Sequence, residues 1–145
     1  MCNINILINK NKNKKIVPFL MSTTAHSFIN NNDGEGFYTE SNNQTIKSKN
    51  KIDYFKYKST LEASKMIITH QRKSTSGFEL EYNHPFENDN FVLVHNGIIN
   101  QFKKKLGSDT YGFWLDFNKK FNSYSNKLNR TLKITKAINE LLLSI

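Results

Sequence analysis

Cysteine is nearly absent from this chain of 145 residues, and the one that occurs is Cys2. That excludes a disulfide framework and a thiolate zinc site, each of which needs several cysteines. Arginine is almost as scarce, because among 21 basic residues only Arg72 and Arg130 carry a guanidinium. Acidic residues number 12, which leaves a net charge of +9. No apolar run approaches the roughly 20 residues of a membrane-spanning helix, so no membrane partner is expected. The segment Met1 to Ile8 lacks a basic stretch followed by a long apolar one. No secretory signal is read there, and a cytoplasmic setting is the expectation.

What the chain has instead is lysine and asparagine, in a skew of the kind AT-rich coding produces. The lysines are spread along the sequence, with small knots between Lys12 and Lys15 and at Lys103 to Lys105. Neither knot alternates with aromatic residues, as a platform for stacked bases does. The basic residues therefore read as a solvated surface, with no nucleic-acid partner. A lysine-rich nucleic-acid binder is the weaker alternative, and a steep salt dependence of DNA binding would favour it. Against this background Arg72 is informative. Where lysine is the default cation, an arginine points to a position that uses the planar fork.

Hydrophobic residues make up 37% of the chain and aromatic residues 12%. That suits a single domain over residues 1–145, of α+β class. Asn3 to Ile8 alternates polar and apolar residues at first, then turns apolar, and reads as a strand. Phe19 to Phe28 reads as a short helix. Phe37 to Thr39 and Gln44 to Lys47 suggest a hairpin, and Leu61 to Lys65 a helical turn. Met66 to Gln71 and Phe91 to His95 read as buried strands, with mostly loop from Lys73 to Asn90. Ile98 to Leu106, Thr110 to Phe121 and Leu132 to Leu143 read as helices, with Ser108 or Asp109 capping the second.

Asn31, Asp33, Gly34 and Glu40 fall at calcium-loop spacing, but the first ligand position would then be Ile29. No metal and no cofactor are expected. The chemistry concentrates elsewhere. Cys2 directly follows the initiator Met1, and removal of Met1 would leave one residue bearing both a thiol and an α-amine. The amine ordinarily titrates near pH 8, so it can take up the thiol proton. A chance cysteine at a frayed terminus is the bland reading. Three of the four histidines and Arg72 lie between Thr69 and Gly97, where a strand end feeds a polar loop. In His95-Asn96-Gly97 a side-chain amide and a backbone N–H can point to one place, as an oxyanion hole requires. Asn-Gly is equally a common turn. Ser108-Asp109-Thr110 alone is a helix cap.

Taken in order, these pieces resemble the class II glutamine amidotransferases, which are N-terminal-nucleophile hydrolases. The matching residues are Met1-Cys2-Asn3-Ile4, Asp33-Gly34-Glu35-Gly36, His70-Gln71-Arg72 with Thr75 and Gly77, Asn83-His84-Pro85-Phe86, His95-Asn96-Gly97-Ile98-Ile99-Asn100 and Ser108-Asp109-Thr110. The Asp-Gly-x-Gly form looks most like the stand-alone branch. The resemblance implies a sandwich of antiparallel sheets flanked by helices, with the late strands missing at the C-terminal end. It implies attack of Cys2 on the side-chain amide of glutamine, or of another γ-glutamyl compound, and release of ammonia. Asn96 and Gly97 would form the oxyanion hole. Arg72, Thr75 and Ser76 would hold the substrate carboxylate, and Asp109 its α-ammonium. The histidines would be structural. A protein partner that accepts the ammonia, or self-association, goes with that reading, and an inactive relic serving as an interaction module is the non-enzymatic alternative. The family carries an aromatic or small residue after the motif arginine, where this chain has Lys73.

Overall fold

The computed structural model describes residues 2–11, 14–75, 77–102 and 107–143. The chain is α+β, with antiparallel sheets and helices, and it divides into two compact units, residues 1–97 and 98–145. No helix among the described residues is long and apolar enough to cross a membrane.

The first unit is built on a four-stranded antiparallel sheet. Its strands are β1 (Asn3–Ile8), β2 (Glu35–Thr39), β3 (Gln44–Ser48) and β4 (Met66–Gln71), in the order β1-β4-β2-β3. β4 pairs on both sides, with Asn3 opposite Gln71 on one edge and Glu35 opposite Gln71 on the other. Strand side chains alternate between faces, so Leu7, Ile67, Phe37 and Ile46 share one face. On it lies the helix α1 (Ile16–Asn30), which contributes the buried Ile16, Val17, Leu20 and Thr24. The helix starts three residues before the expected Phe19 and passes through Pro18. Proline is tolerated in a first turn, where its missing N–H has no intrahelical acceptor. Ile52, Tyr54 of the following 3₁₀ turn and Leu61 of α2 (Lys58–Ala63) close this core. Phe37 meets Tyr54 at 5.5 Å and the edge of Tyr57 at 5.1 Å between ring centroids.

The other face carries Ile4, Ile6, Ile8, Ile68, His70, Gly36 and Tyr38. The segment Asn83–Phe86 crosses it, continuing into β5 (Phe86–Glu87), which pairs with β6 (Val92–Leu93). Gly36 makes the crossing possible, because a Cβ there would lie 2.1 Å from the His84 carbonyl oxygen. The strand expected over Phe91–His95 is therefore only two residues long. The Asn88 side chain accepts from the N–H groups of Asn90 and Phe91, which holds the entrance as a turn instead.

The second unit contains α3 (Asp109–Ser123) and α4 (Arg130–Leu142), packed on each other. Ser108, not Asp109, is the N-cap of α3 and accepts from the Tyr111 N–H. Asn129 caps α4 in the same way through the Leu132 N–H, at 2.8 Å. Phe113, Phe117 and Phe121 recur every four residues, which puts them on one face of α3, where they stack in sequence. Lys133 holds its ammonium over the Phe121 ring, 5.2 Å from the centroid, and donates to Asn126 Oδ1 at 3.1 Å. Of the helix expected over Ile98–Leu106, the described residues show a 3₁₀ turn at Asn100–Phe102, while 103–106 lie outside them.

Candidate functional site

The pairing of β1 with β4 carries the end of the chain to the loop after β4. Asn3 faces Gln71, so the same register sets Cys2 opposite Arg72. Cys2 is half-buried with a free thiol. Its Sγ accepts a hydrogen bond from the Lys73 N–H at 3.3 Å and lies 3.5 Å from the Lys73 carbonyl oxygen. The neighbouring strand supports the loop from the other side. The Arg72 N–H donates to the Gly34 carbonyl at 2.8 Å, and the Asp33 N–H donates to the Arg72 carbonyl at 3.1 Å. The Asp33 carboxylate accepts from the Ser74 N–H at 2.7 Å and faces the Lys73 ammonium at 3.9 Å. Asp33 thus pins both residues that follow the arginine.

Arg72 is buried, with 6% of its surface exposed. Its Nη2 donates to the Gly77 carbonyl at 2.9 Å and its Nη1 to Asn83 Oδ1 at 3.4 Å. Asn83 is held in turn by the Ser48 carbonyl. Its amide also sits against Gly34, whose φ of +149° and lack of a Cβ together admit it. Ser74 Oγ donates to the same Gly77 carbonyl, so the loop after β4 curls around the guanidinium. Thr75 is exposed on that loop, and Ser76 lies outside the described residues.

Two rows deeper, His70 and His84 face each other with Nε2 and Nδ1 3.1 Å apart. Burial, then the charge of Arg72, pushes the His70 imidazole down to about 3. Burial and the neighbouring His70 hold His84 well below the ordinary range. Both rings are therefore neutral at pH 7, one donating and the other accepting. Asn96 and Gly97 are exposed, and Gly97 has a φ of +146°, where a side chain would be strained. Asp109 belongs to the second unit. Its carboxylate accepts from the N–H groups of Ile99 and Thr110, so it fastens the segment before α3 to the helix start.

The structure thus brings together Cys2, Arg72 and the loop through Thr75. Three participants stood in the sequence without a readable role: Asp33, Asn83 and the Lys73 amide. A cleft of about 360 Å³ lined by Tyr38, Met66, Ile68 and Phe91 lies at the far end of β4, away from Cys2. Among the described residues no group of three or more His, Cys, Asp or Glu could hold a metal ion. Comparison with protein-family models, with curated proteins and with solved structures finds no match.

Proposed function

We propose that this chain hydrolyses the side-chain amide of glutamine through a γ-glutamyl thioester on Cys2, on a scaffold of the N-terminal-nucleophile sandwich type. The observation that carries the reading is the meeting of the Cys2 sulfur with the Lys73 amide, beside the one arginine of the first unit. A thiol and a guanidinium, far apart in sequence, belong to residues that stand opposite each other in register.

In this reading Met1 is removed and the α-amine of Cys2 takes the thiol proton, directly or through water. The sulfur attacks the amide carbon, and the oxygen takes up negative charge against the Asn96 amide and the Gly97 N–H. The intermediate collapses and the C–N bond breaks. The nitrogen leaves as ammonia with the proton returned by the α-ammonium. Water then attacks the thioester, releasing glutamate and restoring the thiol. Arg72, with Thr75 and Ser76, holds the substrate carboxylate. A γ-glutamyl amide other than glutamine would satisfy the same contacts, and the ammonia would pass to a protein partner.

Intact mass after incubation with a glutamine-like electrophile tests this. One adduct, lost in Cys2→Ala, together with ammonia release from glutamine, is the expected result. No adduct and no ammonia from the chain with its N-terminus exposed would refute it. A second reading, an inactive interaction module, is favoured by one observation. The Arg72 guanidinium already bonds Gly77 and Asn83, as a purely structural arginine would.

A further inference from the structure

One polar row crosses the core face of the sheet at the end nearest Cys2. Asn3, Gln71 and Glu35 stand opposite one another on three neighbouring strands. Glu35 is fully buried. Its Oε2 accepts from the Ile52 N–H at 2.6 Å, and its Oε1 accepts from Tyr54 Oη at 2.9 Å and from Gln71 Nε2 at 2.9 Å. Every partner is a donor, which suits the ionised carboxylate. Burial alone raises the Glu35 carboxyl, and these three donors work against that rise. Tyr54 is held as a donor, its own titration raised first by burial and then by Glu35.

The acceptor fixes the orientation of the amide that follows it. With Nε2 turned to Glu35, Gln71 must present Oε1 to β1. There it accepts from Asn3 Nδ2 at 3.2 Å and from Asn5 Nδ2 at 3.4 Å. Asn3 Nδ2 also donates to Ser27 Oγ of α1 at 2.7 Å. Asn3 is the residue after Cys2, and Gln71 is the residue before Arg72. A single direction of hydrogen bonding therefore runs from the core to both neighbours of the proposed site.

We propose that Glu35 is a positioning residue. Through Gln71 and Asn3 it sets the place of the Cys2 sulfur relative to Arg72. The inference rests on the proposed role of Cys2 as nucleophile. Three features argue that the row does more than fill space. Apolar residues would fill this face at lower desolvation cost. The row sits at the site end of the sheet, and the same face grows more apolar further along, through Asn5, Thr69 and Phe37 to Leu7, Ile67 and Thr39. Exchange of Glu35 for its amide would also reverse donor and acceptor along the whole chain of side chains, with little change of shape.

The test compares two rates of Cys2 modification, read by intact mass on the full chain. One reagent is a diazoketone analogue of glutamine, which needs the site; the other is iodoacetamide, which needs only the thiol. Glu35→Gln and Gln71→Glu should each lower the ratio of the two rates by about tenfold or more, as a displaced nucleophile does. The exchange Glu35→Gln with Gln71→Glu restores a carboxylate facing an amide, and should bring the ratio back to within about threefold of the wild type. Asn3→Ala, at a half-buried position, cuts the link to Cys2 without touching the buried anion and should lower the ratio alike. A folded Glu35→Gln or Asn3→Ala chain with the wild-type ratio would overturn the proposal, as would a folded double exchange no better than the single variants. Should the wild type show no preference for the diazoketone, the glutaminase reading fails by itself. Positioning is then judged on the iodoacetamide rate of Asn3→Ala, where a change of about threefold supports it and an unchanged rate overturns it.

Discussion

The Cys2 sulfur takes a hydrogen bond from the backbone N–H of Lys73, a residue 71 positions further along the chain. A strand pairing makes this contact, and no local motif could. β1 and β4 must adopt one register, and a slip of one residue would turn every side chain of β1 to the other face. The polar Asn3 and Asn5 would then stand where Ile4 and Ile6 are. The contact also gives Lys73 a role through its main chain, which accounts for its departure from the residue type the resemblance implies. Its side chain is exposed and faces the Asp33 carboxylate at 3.9 Å.

The proposed free amine of Cys2 gives the first prediction. Cys2→Ala should abolish ammonia release, and Cys2→Ser should leave a trace, since an alcohol is the poorer nucleophile. A stable N-terminal tag should silence the proposed activity, and its proteolytic removal to expose Cys2 should restore the rate. Full turnover by a tagged, uncleaved chain would rule out the free-amine mechanism.

Arg72→Lys keeps the charge and loses the fork. kcat/KM should fall by roughly ten- to a hundredfold, equivalent to about 1.5–3 kcal/mol of charged hydrogen bonding. The structure adds a second consequence. One ammonium cannot span Gly77 and Asn83 as the guanidinium does, so thermal stability should fall as well. Stability lost with kinetics unchanged would mark Arg72 as structural and favour the interaction-module reading.

The elements legible in the sequence are those specified locally. β4 is a short apolar run that matches its expected limits, and β1 alternates polar and apolar residues before it turns apolar. α3 and α4 carry helical periodicity behind a serine and an asparagine cap. What escaped is set by tertiary partners. Glu35, in an apparent loop motif, opens β2 because Gln71 and Ser48 pair with it. The site shows the same divide. Cys2 and Arg72 stand out by rarity, whereas Asp33 and Asn83 matter through register and a close backbone approach. One signal was present for the polar row: asparagines at the core-facing positions of β1 imply a polar partner across the sheet.

Gly36→Ala tests the close approach. Its φ is an ordinary one, so alanine suits the strand itself, but the new Cβ would meet the His84 carbonyl at 2.1 Å. The obstacle is backbone, and it cannot swing away. A loss of about 1–3 kcal/mol is expected in urea unfolding, as for other overpacked sites. Stability equal to the wild type would mean that the Asn83–Phe86 segment lifts off the sheet at little cost.

The outer face of β1 is the place to add charge without harm. Ile6 is 61% exposed and Ile8 59%. Ile6→Lys should change stability by no more than about 0.5 kcal/mol, as surface substitutions do. It should lower the binding of an apolar dye, because exposed apolar surface next to an open strand edge is what such dyes and other chains recognise. Sedimentation of both chains extends the test. Concentration-dependent association of the wild type, weakened in Ile6→Lys, is the expected pair of results. A large loss of stability instead would show that this face is packed in solution.

The histidine pair makes stability depend on pH with a definite sign. In the unfolded chain each imidazole titrates near pH 6.5. In the folded chain burial lowers His70 to about 3, and His84 lies well below its ordinary value. As pH falls through 6.5 the unfolded state therefore takes up protons that the native state refuses. Each histidine then costs about 1.4 kcal/mol of stability per pH unit until its folded value is reached. Glu35 acts in the opposite sense, because its folded value is raised and protonation favours the native state as pH falls. One group opposes two, so the net effect remains a loss. Urea midpoints at about pH 7.5, 6.5 and 5.5 should decline over the last interval. Replacing His84 with an uncharged residue that still folds should remove one histidine's share of that slope. A midpoint flat down to about pH 5 would mean that the pair opens to water and protonates without unfolding.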